Sequence, residues 1–559
     1  MFTRLLRTVF AVALLSASAG ASRANKVVLL SSLDSSKIAG SAPSIAMLPP
    51  PTAPQIHGPY VVGIFTGTPL IWTVPVTGQR PMSFSAKGLP RGVSFGRVSG
   101  TFTGTIAKTG DYPVQVSVKN RKGHETATVH LVADKTLALT PPMGWNSYDA
   151  YGDNVTEAET LDNAMYLKHN MQPYGWDTVV VDYRWYDPGA YNNNANERAG
   201  AKLTMDDYGR LLPSPNRFPS AADSAGFRPL ADKIHALGLK FGIHIMRGIP
   251  RNAVTANTPI EGSGYYASEA ANTADVCGWC PDMYGVRADT AAGQAYYDSL
   301  FRLYASWGVD YVKMDDTSQP YHKGDIDDVR NAIDKCGRSI VYSLSPGETS
   351  IDEAAHVAAH ANLWRVSGDF WDDWSALHRE FDIADRWRSY VGPGHWADAD
   401  MLPLGHLSVG RRSVGDDRQT RFTKSEQTTL MSLWCLLPAP LMLGAAMPDN
   451  DQWTLSLLTN PEVLALDQEA GAKPAWRAEH NEDIEIWERK LADGSVAVGV
   501  FNLDDVDVDR VVSRGELGLS GRYMVRDLWQ RKDKGMMPNH LVLHITRHGT
   551  SLLRFRKCQ

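Results

Sequence analysis

A chain of 559 residues is long enough for three or four domains, and 43% hydrophobic residues is the content of a protein with a large core. A formal charge of −6 and a pI near 6.2 provide no basic surface for nucleic acid or for anionic lipid, so those partners are excluded as expectations.

The chain opens with Arg4 and Arg7, an apolar run from Val9 to Ala19, and the small-x-small triplet Ala19-Gly20-Ala21. This is the pattern of a cleaved export signal over residues 1–24, and the run is too short for a membrane span of about 20 apolar residues. A secreted or periplasmic protein is expected. Residues 25–56 end in Leu48-Pro49-Pro50-Pro51-Thr52-Ala53-Pro54. Three successive prolines neither continue a helix nor pair in a sheet, which predicts a stiff extended linker.

Residues 57–135 change character. Runs such as Leu70-Ile71-Trp72-Thr73-Val74 and Val114-Gln115-Val116-Ser117-Val118 are separated by Gly and Pro turns, which predicts a β-sandwich. Gly88-Leu89-Pro90-Arg91-Gly92-Val93 and Gly100-Thr101-Phe102-Thr103-Gly104 resemble an immunoglobulin-like module of the kind fused to bacterial glycosidases. A spacer or packing role is expected for it.

From 136 to 470 strand and helix alternate. Val179-Val180-Val181-Asp182, Leu239 to His244, Val309 to Asp315 and Ser339 to Ser345 read as buried strands. Helical periodicity lies between them, over Phe227 to Leu237 and Ala295 to Trp307. Alternation over this length predicts a (β/α)8 TIM barrel, and no Gly-rich fingerprint follows the first strand, so no dinucleotide cofactor is expected. Residues 471–559 return to strands at Ile484 to Trp487, Val496 to Phe501 and Leu541 to Ile545, an antiparallel β-domain.

Five cysteines remain: Cys277, Cys280, Cys336, Cys435 and Cys558. Cys277-Gly278-Trp279-Cys280 lacks a second close Cys/His pair, so no metal site is expected. In an exported chain a local disulfide, or a bridge to Cys336, is expected instead.

The chemistry sits where strands break off at acids. Tyr311-Val312-Lys313-Met314-Asp315-Asp316 and Arg365-Val366-Ser367-Gly368-Asp369 each end an apolar run at a carboxylate. In a parallel barrel such tips converge on one pocket. A single strand-end acid is usually a cap or an ion-pair partner. Two that converge can break a glycosidic bond, one attacking the anomeric carbon and the other protonating the leaving oxygen. Lys313 shares a strand face with Asp315 and would hold it ionised. Asp369, beside Phe370, Trp371 and Trp374, is expected to be partly desolvated and so to keep its proton.

Thr140-Pro141-Pro142-Met143-Gly144-Trp145-Asn146-Ser147-Tyr148 resembles the opening strand of glycoside hydrolase family 27, the α-galactosidase family of clan D. Gly392 to Leu402 is similar to another of its blocks, and Ser432-Leu433-Trp434 with Ala439-Pro440-Leu441 resembles its last barrel strand. The resemblance implies Asp315 as nucleophile and Asp369 as acid/base. It implies substrate contacts from Lys313, Arg365, the wall residue Trp145, Asp182 and the floor residue Asp400. The implied activity is retaining exo-hydrolysis of α-galactosides in an oligosaccharide or polysaccharide, without a cofactor. Other glycones of the family are α-N-acetylgalactosaminides, β-L-arabinopyranosides and isomaltose units of dextran; an inactive glycan-binding barrel is the alternative of a different class.

The chain also departs from the family pattern. Tyr183 stands where a second acid is usual. His244 and Arg247 replace the usual end of strand three, His244 as a substrate contact and Arg247 as either a pocket residue or a partner of a barrel carboxylate. Asp316, in place of Gly or Asn, either extends the hydrogen-bond network or competes with Asp315. Ser345-Pro346-Gly347-Glu348 differs from the galactose-specific loop.

Overall fold

The computed structural model describes residues 37–38, 43–190, 198–410, 414–481 and 483–558. The expected export signal lies outside the described residues. Eight parallel strands form the centre: β1 (Met143–Asn146), β2 (Thr178–Val181), β3 (Lys240–Met246), β4 (Tyr311–Asp315), β5 (Val341–Leu344), β6 (Leu363–Arg365), β7 (Trp396–Asp398) and β8 (Leu441–Leu443). They pair in chain order, and β8 returns to β1. A parallel bridge between Leu402, just past β7, and Leu443 closes the circle.

Helices follow the strands: α1 (Glu157–Tyr166), α2 (Arg228–Ala236), α3 (Ala291–Trp307), α4 (Lys323–Lys335), α5 (Ala354–His360), α6 (Trp374–Trp387), α7 (Lys424–Leu436) and α8 (Pro461–Asp467). Local chemistry sets their ends. Thr156 with Glu159 and Thr423 with Glu426 form reciprocal capping boxes at the starts of α1 and α7, satisfying amides that have no helical partner. Gly308 ends α3 at φ 87°, a left-handed conformation that costs glycine nothing. The strands are buried on both faces, which is why they read as unbroken apolar runs rather than alternating ones. One correction concerns the last strand: Ser432, Leu433 and Trp434 lie inside α7, and the strand begins at Leu441.

The Pro-rich segment is extended but not free. Ile45 is buried in the main core, the Ala46 amide donates to the Trp529 carbonyl (2.8 Å), and Gln55–Ile56 pairs with Val76–Thr77. The immunoglobulin-like module consists of a four-stranded and a three-stranded sheet around Trp72, Phe84 and Phe102. It docks on the barrel's N-terminal end. Thr73 Oγ1 donates to the Gly238 carbonyl before β3 (3.0 Å), and the Phe65 amide donates to Ser339 Oγ before β5 (2.9 Å). The C-terminal domain carries a six-stranded antiparallel sheet and packs on α7, where Trp529 Nε1 donates to Ser432 Oγ (2.8 Å). Among the described residues no helix is long and apolar enough to cross a membrane.

Gly144 shows how tightly β1 is seated. A Cβ there would lie 2.4 Å from the Thr178 carbonyl oxygen of β2. Gly144→Ala is therefore expected to destabilise the protein by about 1–3 kcal/mol, the usual cost of overpacking, read as a lower midpoint in denaturant unfolding.

Candidate active site

At the C-terminal ends of the strands lies a cavity of about 210 Å³. Its polar lining includes Asp149, Asp182, Lys313, Asp315, Arg365, Asp369 and Asp400, and its rings are Tyr148, Tyr183, Trp279, Phe370 and Trp371. Strand geometry explains the convergence. Asp182 is the first residue after β2, Asp315 the last of β4, Arg365 the last of β6, and Asp400 lies two residues past β7.

Lys313 is the cation at the floor. Its Nζ donates to Asp182 Oδ2 (3.1 Å). Asp182 also accepts from Asn146 Nδ2 (2.6 Å) and from the Tyr183 amide (2.7 Å). Burial alone would raise its pKa, but Lys313 and these donors outweigh burial and hold it at about 2. The same balance governs Asp315. Burial pushes its carboxyl up, yet contact with His244 and the charge of Lys313 bring it below the ordinary carboxylate range. His244 Nε2 lies 2.8 Å from Asp315 Oδ2, and Asp315 Oδ1 has no hydrogen-bond partner among the described residues. Asp315 is a buried, ionised carboxylate with one oxygen anchored and one unengaged.

Asp369 is its opposite in setting. Its side chain is 67% exposed, tethered by Arg365 Nη2 at 3.3 Å. The expected desolvation by three rings is not realised. Phe370 turns into the core against Trp434, and Trp374 stacks on His548 at 3.7 Å; of the three, Phe370 and Trp371 line the cavity. Arg365 also pairs with Asp400 (2.9 Å), which accepts from the Phe370 amide (2.9 Å). Asp400 is raised by burial despite Arg365 and Lys313, and Asp398 is raised to about 6 by burial despite Arg365.

Several expected contacts fall elsewhere. Trp145 is fully buried beneath the cavity, its Nε1 donating to the Ala445 carbonyl (2.8 Å), and it is not part of the wall. His244 touches Asp315 rather than the cavity. Of the two roles open to Arg247, the structure shows the ion pair: it holds Asp316 (2.8 Å) and Asp275 (2.7 Å) behind the pocket. Asp316, at φ 63°, turns away from the cavity toward Arg247, so it extends the network and does not compete with Asp315. Tyr183 does line the cavity, but its hydroxyl donates to Cys280 Sγ (2.9 Å) and Cys280 in turn donates to Asp282 (3.0 Å). All five cysteines are free thiols, so neither expected disulfide is formed. The pair is held by polar contacts to carboxylates instead.

Among the lining residues that sequence reading did not assign to the site are Tyr148, Asp149 and Trp279. Tyr148 closes the opening-strand motif and Asp149 directly follows it, where the strand-end rule applied to Asp182 and Asp315 would have found the acid. Asp149 is buried beside Asp400, and burial first, then that like charge, raises its pKa well above the ordinary value. Trp279 lies between the two cysteines, 40% exposed, with its ring 5.7 Å from that of Tyr183.

Comparison with known proteins agrees with this layout. Residues 280–469 match the model of α-galactosidase A, residues 481–555 that of the α-galactosidase C-terminal β-sandwich domain, and residues 43–133 that of an Ig domain. α-Galactosidase A of Cellvibrio japonicus is 30% identical over 446 residues, covering 75% of this chain and 92% of that protein. α-Galactosidase 2 of Arabidopsis thaliana is 27% identical over 434 residues, 76% of this chain and 91% of its own. The crystal structure of a GH27 β-L-arabinopyranosidase from Geobacillus stearothermophilus shares 48% identity over 75% of this chain and 97% of that one, with a TM-score of 0.72.

The floor network fixes two outcomes. Lys313→Met leaves Asp182 buried without its cation and is expected to cost about 3–5 kcal/mol in equilibrium unfolding. Asp182 and Asp315 are both depressed in the folded state, so the stability they supply is full above the unfolded carboxylate value of about 4 and is lost as pH falls below it, for Asp182 toward about 2. The wild-type midpoint should therefore fall steeply across that window, and less steeply in Asp182→Asn, as followed by circular dichroism.

Proposed function

The chain belongs to glycoside hydrolase family 27, and from that premise we propose that it is a retaining exo-glycosidase that releases a galacto-configured terminal sugar by double displacement. The observation that carries the reading is the contrast between two acids of one cavity: Asp315, buried and ionised against His244 and Lys313, and Asp369, exposed and tethered to Arg365. Asp315 attacks the anomeric carbon while Asp369 donates its proton to the leaving oxygen. The bond to the leaving group breaks as the sugar ester on Asp315 forms. Asp369 then takes a proton from water, which displaces Asp315 and restores it. The exposure of Asp369 suits a group that must meet both the leaving group and incoming water. His244 is a positioning residue, acting through Asp315 Oδ2.

The sugar is read from the cavity's second strand. Asp182 offers a carboxylate to ring hydroxyls. Its neighbour offers the face of Tyr183, whose hydroxyl is spent on Cys280. β-L-Arabinopyranose has the ring stereochemistry of α-D-galactose without the C6 hydroxymethyl group. An aromatic face where an acid would bind that hydroxyl favours the pentose. β-L-Arabinopyranosides are the preferred substrates in this reading, in line with the Geobacillus relative, and α-galactosides, which the curated relatives are named for, come second. The immunoglobulin-like module serves packing, since it holds the opposite end of the barrel. The mature protein is exported, on the strength of Arg4, Arg7 and the apolar run, and mass spectrometry of its N-terminus should find cleavage after Ala21 or Ala24.

A panel of aryl glycosides tests the sugar. The wild type should show higher kcat/KM on the β-L-arabinopyranoside than on the α-galactoside. A carboxylate hydrogen bond is worth about 1.5–3 kcal/mol, so Tyr183→Asp should shift that ratio toward galactose by about tenfold to a hundredfold. A wild type that prefers α-galactoside, with a ratio unmoved in the variant, would rule out this role for Tyr183.

The nucleophile is tested separately. Asp315→Asn should abolish turnover in a folded protein, and Asp316→Asn should leave most of it, with NMR of early product showing the retained anomer. An active Asp315→Asn enzyme, or an inverted product, sinks the mechanism.

A further inference from the structure

Outside the pocket, one side-chain cluster has the composition of a metal centre. Helix α5 carries His356 and His360 one turn apart, so both imidazoles leave the same face. Helix α4 packs beside it and supplies Asp327. One donor atom from each of the three lies within 4.8 Å of the others. His356 Nε2 is 2.7 Å and His360 Nε2 3.3 Å from the same atom, Asp327 Oδ1. The two rings stack with centroids 4.2 Å apart.

The far sides of the rings orient them. His360 Nδ1 lies 2.8 Å from the His356 carbonyl oxygen. A carbonyl only accepts, so Nδ1 carries a proton, and in the neutral ring Nε2 presents a lone pair to the carboxylate. Two acceptors that face each other need either a second proton on the ring or a metal cation between them. His356 Nδ1 meets the Tyr321 hydroxyl at 2.5 Å, again on the side away from Asp327. A ring nitrogen bonded to a carbonyl or hydroxyl, with the other nitrogen turned toward a shared centre, is how metal-binding histidines are held.

We propose that Asp327, His356 and His360 bind a divalent transition-metal ion, with zinc the best fit, through two imidazole Nε2 atoms and one carboxylate oxygen. Two imidazoles with one carboxylate suit zinc and its neighbours better than magnesium or calcium, which take oxygen ligands. Bonds of about 2.0–2.1 Å place neighbouring ligands of a tetrahedron about 3.3 Å apart. The His360 spacing already matches, and the His356 spacing opens to it by a small rotation of Asp327, whose side chain is 34% exposed. Three protein ligands leave the fourth position to water. None of the three lines the sugar cavity, so the ion is structural. It joins α4 to α5 and, through Tyr321, fixes the loop that follows the β4 nucleophile strand. The expectation of no metal rested on cysteine spacing; the signal was the His-x-x-x-His pair of α5, which needs a third ligand from another helix.

Zinc titration of the chelator-treated full-length protein by calorimetry tests the site. The wild type should take up one more equivalent than the His356→Ala/His360→Ala double variant, and zinc should raise the thermal midpoint of the wild type alone. Cobalt should give a visible d–d band that is lost in the double variant and in Asp327→Asn. Hydrolysis per folded molecule should be unchanged. If the double variant does not fold, His360→Gln alone allows the same comparison. Equal zinc stoichiometry in wild type and variant, or a cobalt band that survives in both variants, overturns the proposal and leaves the cluster as imidazolium–carboxylate pairing.

Discussion

The pocket depends on one buried ammonium group. Asp182, Asp315 and Asp400 all feel Lys313, which is itself raised well above its ordinary value: burial opposes its charge, and the charges of Asp182, Asp315 and Asp400 more than restore it. Without a cation, carboxylates this close and this buried would be pushed toward the protonated form, the direction in which burial and the Asp400 charge drive Asp149 even against the charge of Lys313. Arg365 performs the second half of this task, holding Asp400 in the floor and Asp369 at the rim. The barrel is what lets two cations serve so many acids. It delivers all of these side chains from strand ends a few residues long, on backbone that has no freedom to relax away from them.

The two ends of the barrel carry different chemistry. At the C-terminal end polar side chains converge on the cavity. At the N-terminal end, apolar residues and a few hydrogen bonds join the immunoglobulin-like module to Gly238, Ser339 and the entry to β1. Gly238 is needed there in a strict sense. It sits at φ 76°, and a Cβ would come within 2.3 Å of Thr73 Oγ1. The module thus meets a surface shaped for it.

Much of this was legible in the sequence because buried parallel strands write themselves as apolar runs that end in acids. Val179 to Asp182 and Val309 to Asp315 were read to within two residues, and Asp315, Lys313, Arg365 and Asp400 do meet in one cavity. What was not legible depended on side-chain direction across elements. His244 alternates along β3 so that it meets Asp315 and not the cavity, and Arg247 finds Asp316 and Asp275 in loops far apart in the chain. Trp145 carries the residue type of a sugar platform but lies one layer below, with Trp176, Trp185, Trp364 and Trp396, as core. Ser432 to Trp434 resemble part of the family's last strand yet lie in a helix, and their composition does not correct the resemblance, because an all-round buried helix is as apolar as a buried strand over a few residues. The cysteines misled because spacing says that two thiols are near, not that their side chains point at each other.

The docking of the module on the barrel floor bears on how variation in this chain should be interpreted. Trp72, Thr73 and Phe65 are remote from the cavity, yet they cover the ends of the strands whose other ends carry its carboxylates. A residue at that junction transmits its loss as a weakened foundation, not as altered chemistry. A mutational survey scored only by product formed would mark such positions as important and invite a lectin explanation for the module. The same survey scored against the amount of folded protein would return them to architecture, and would leave the strand tips as the part of the chain on which selection for a new sugar can act.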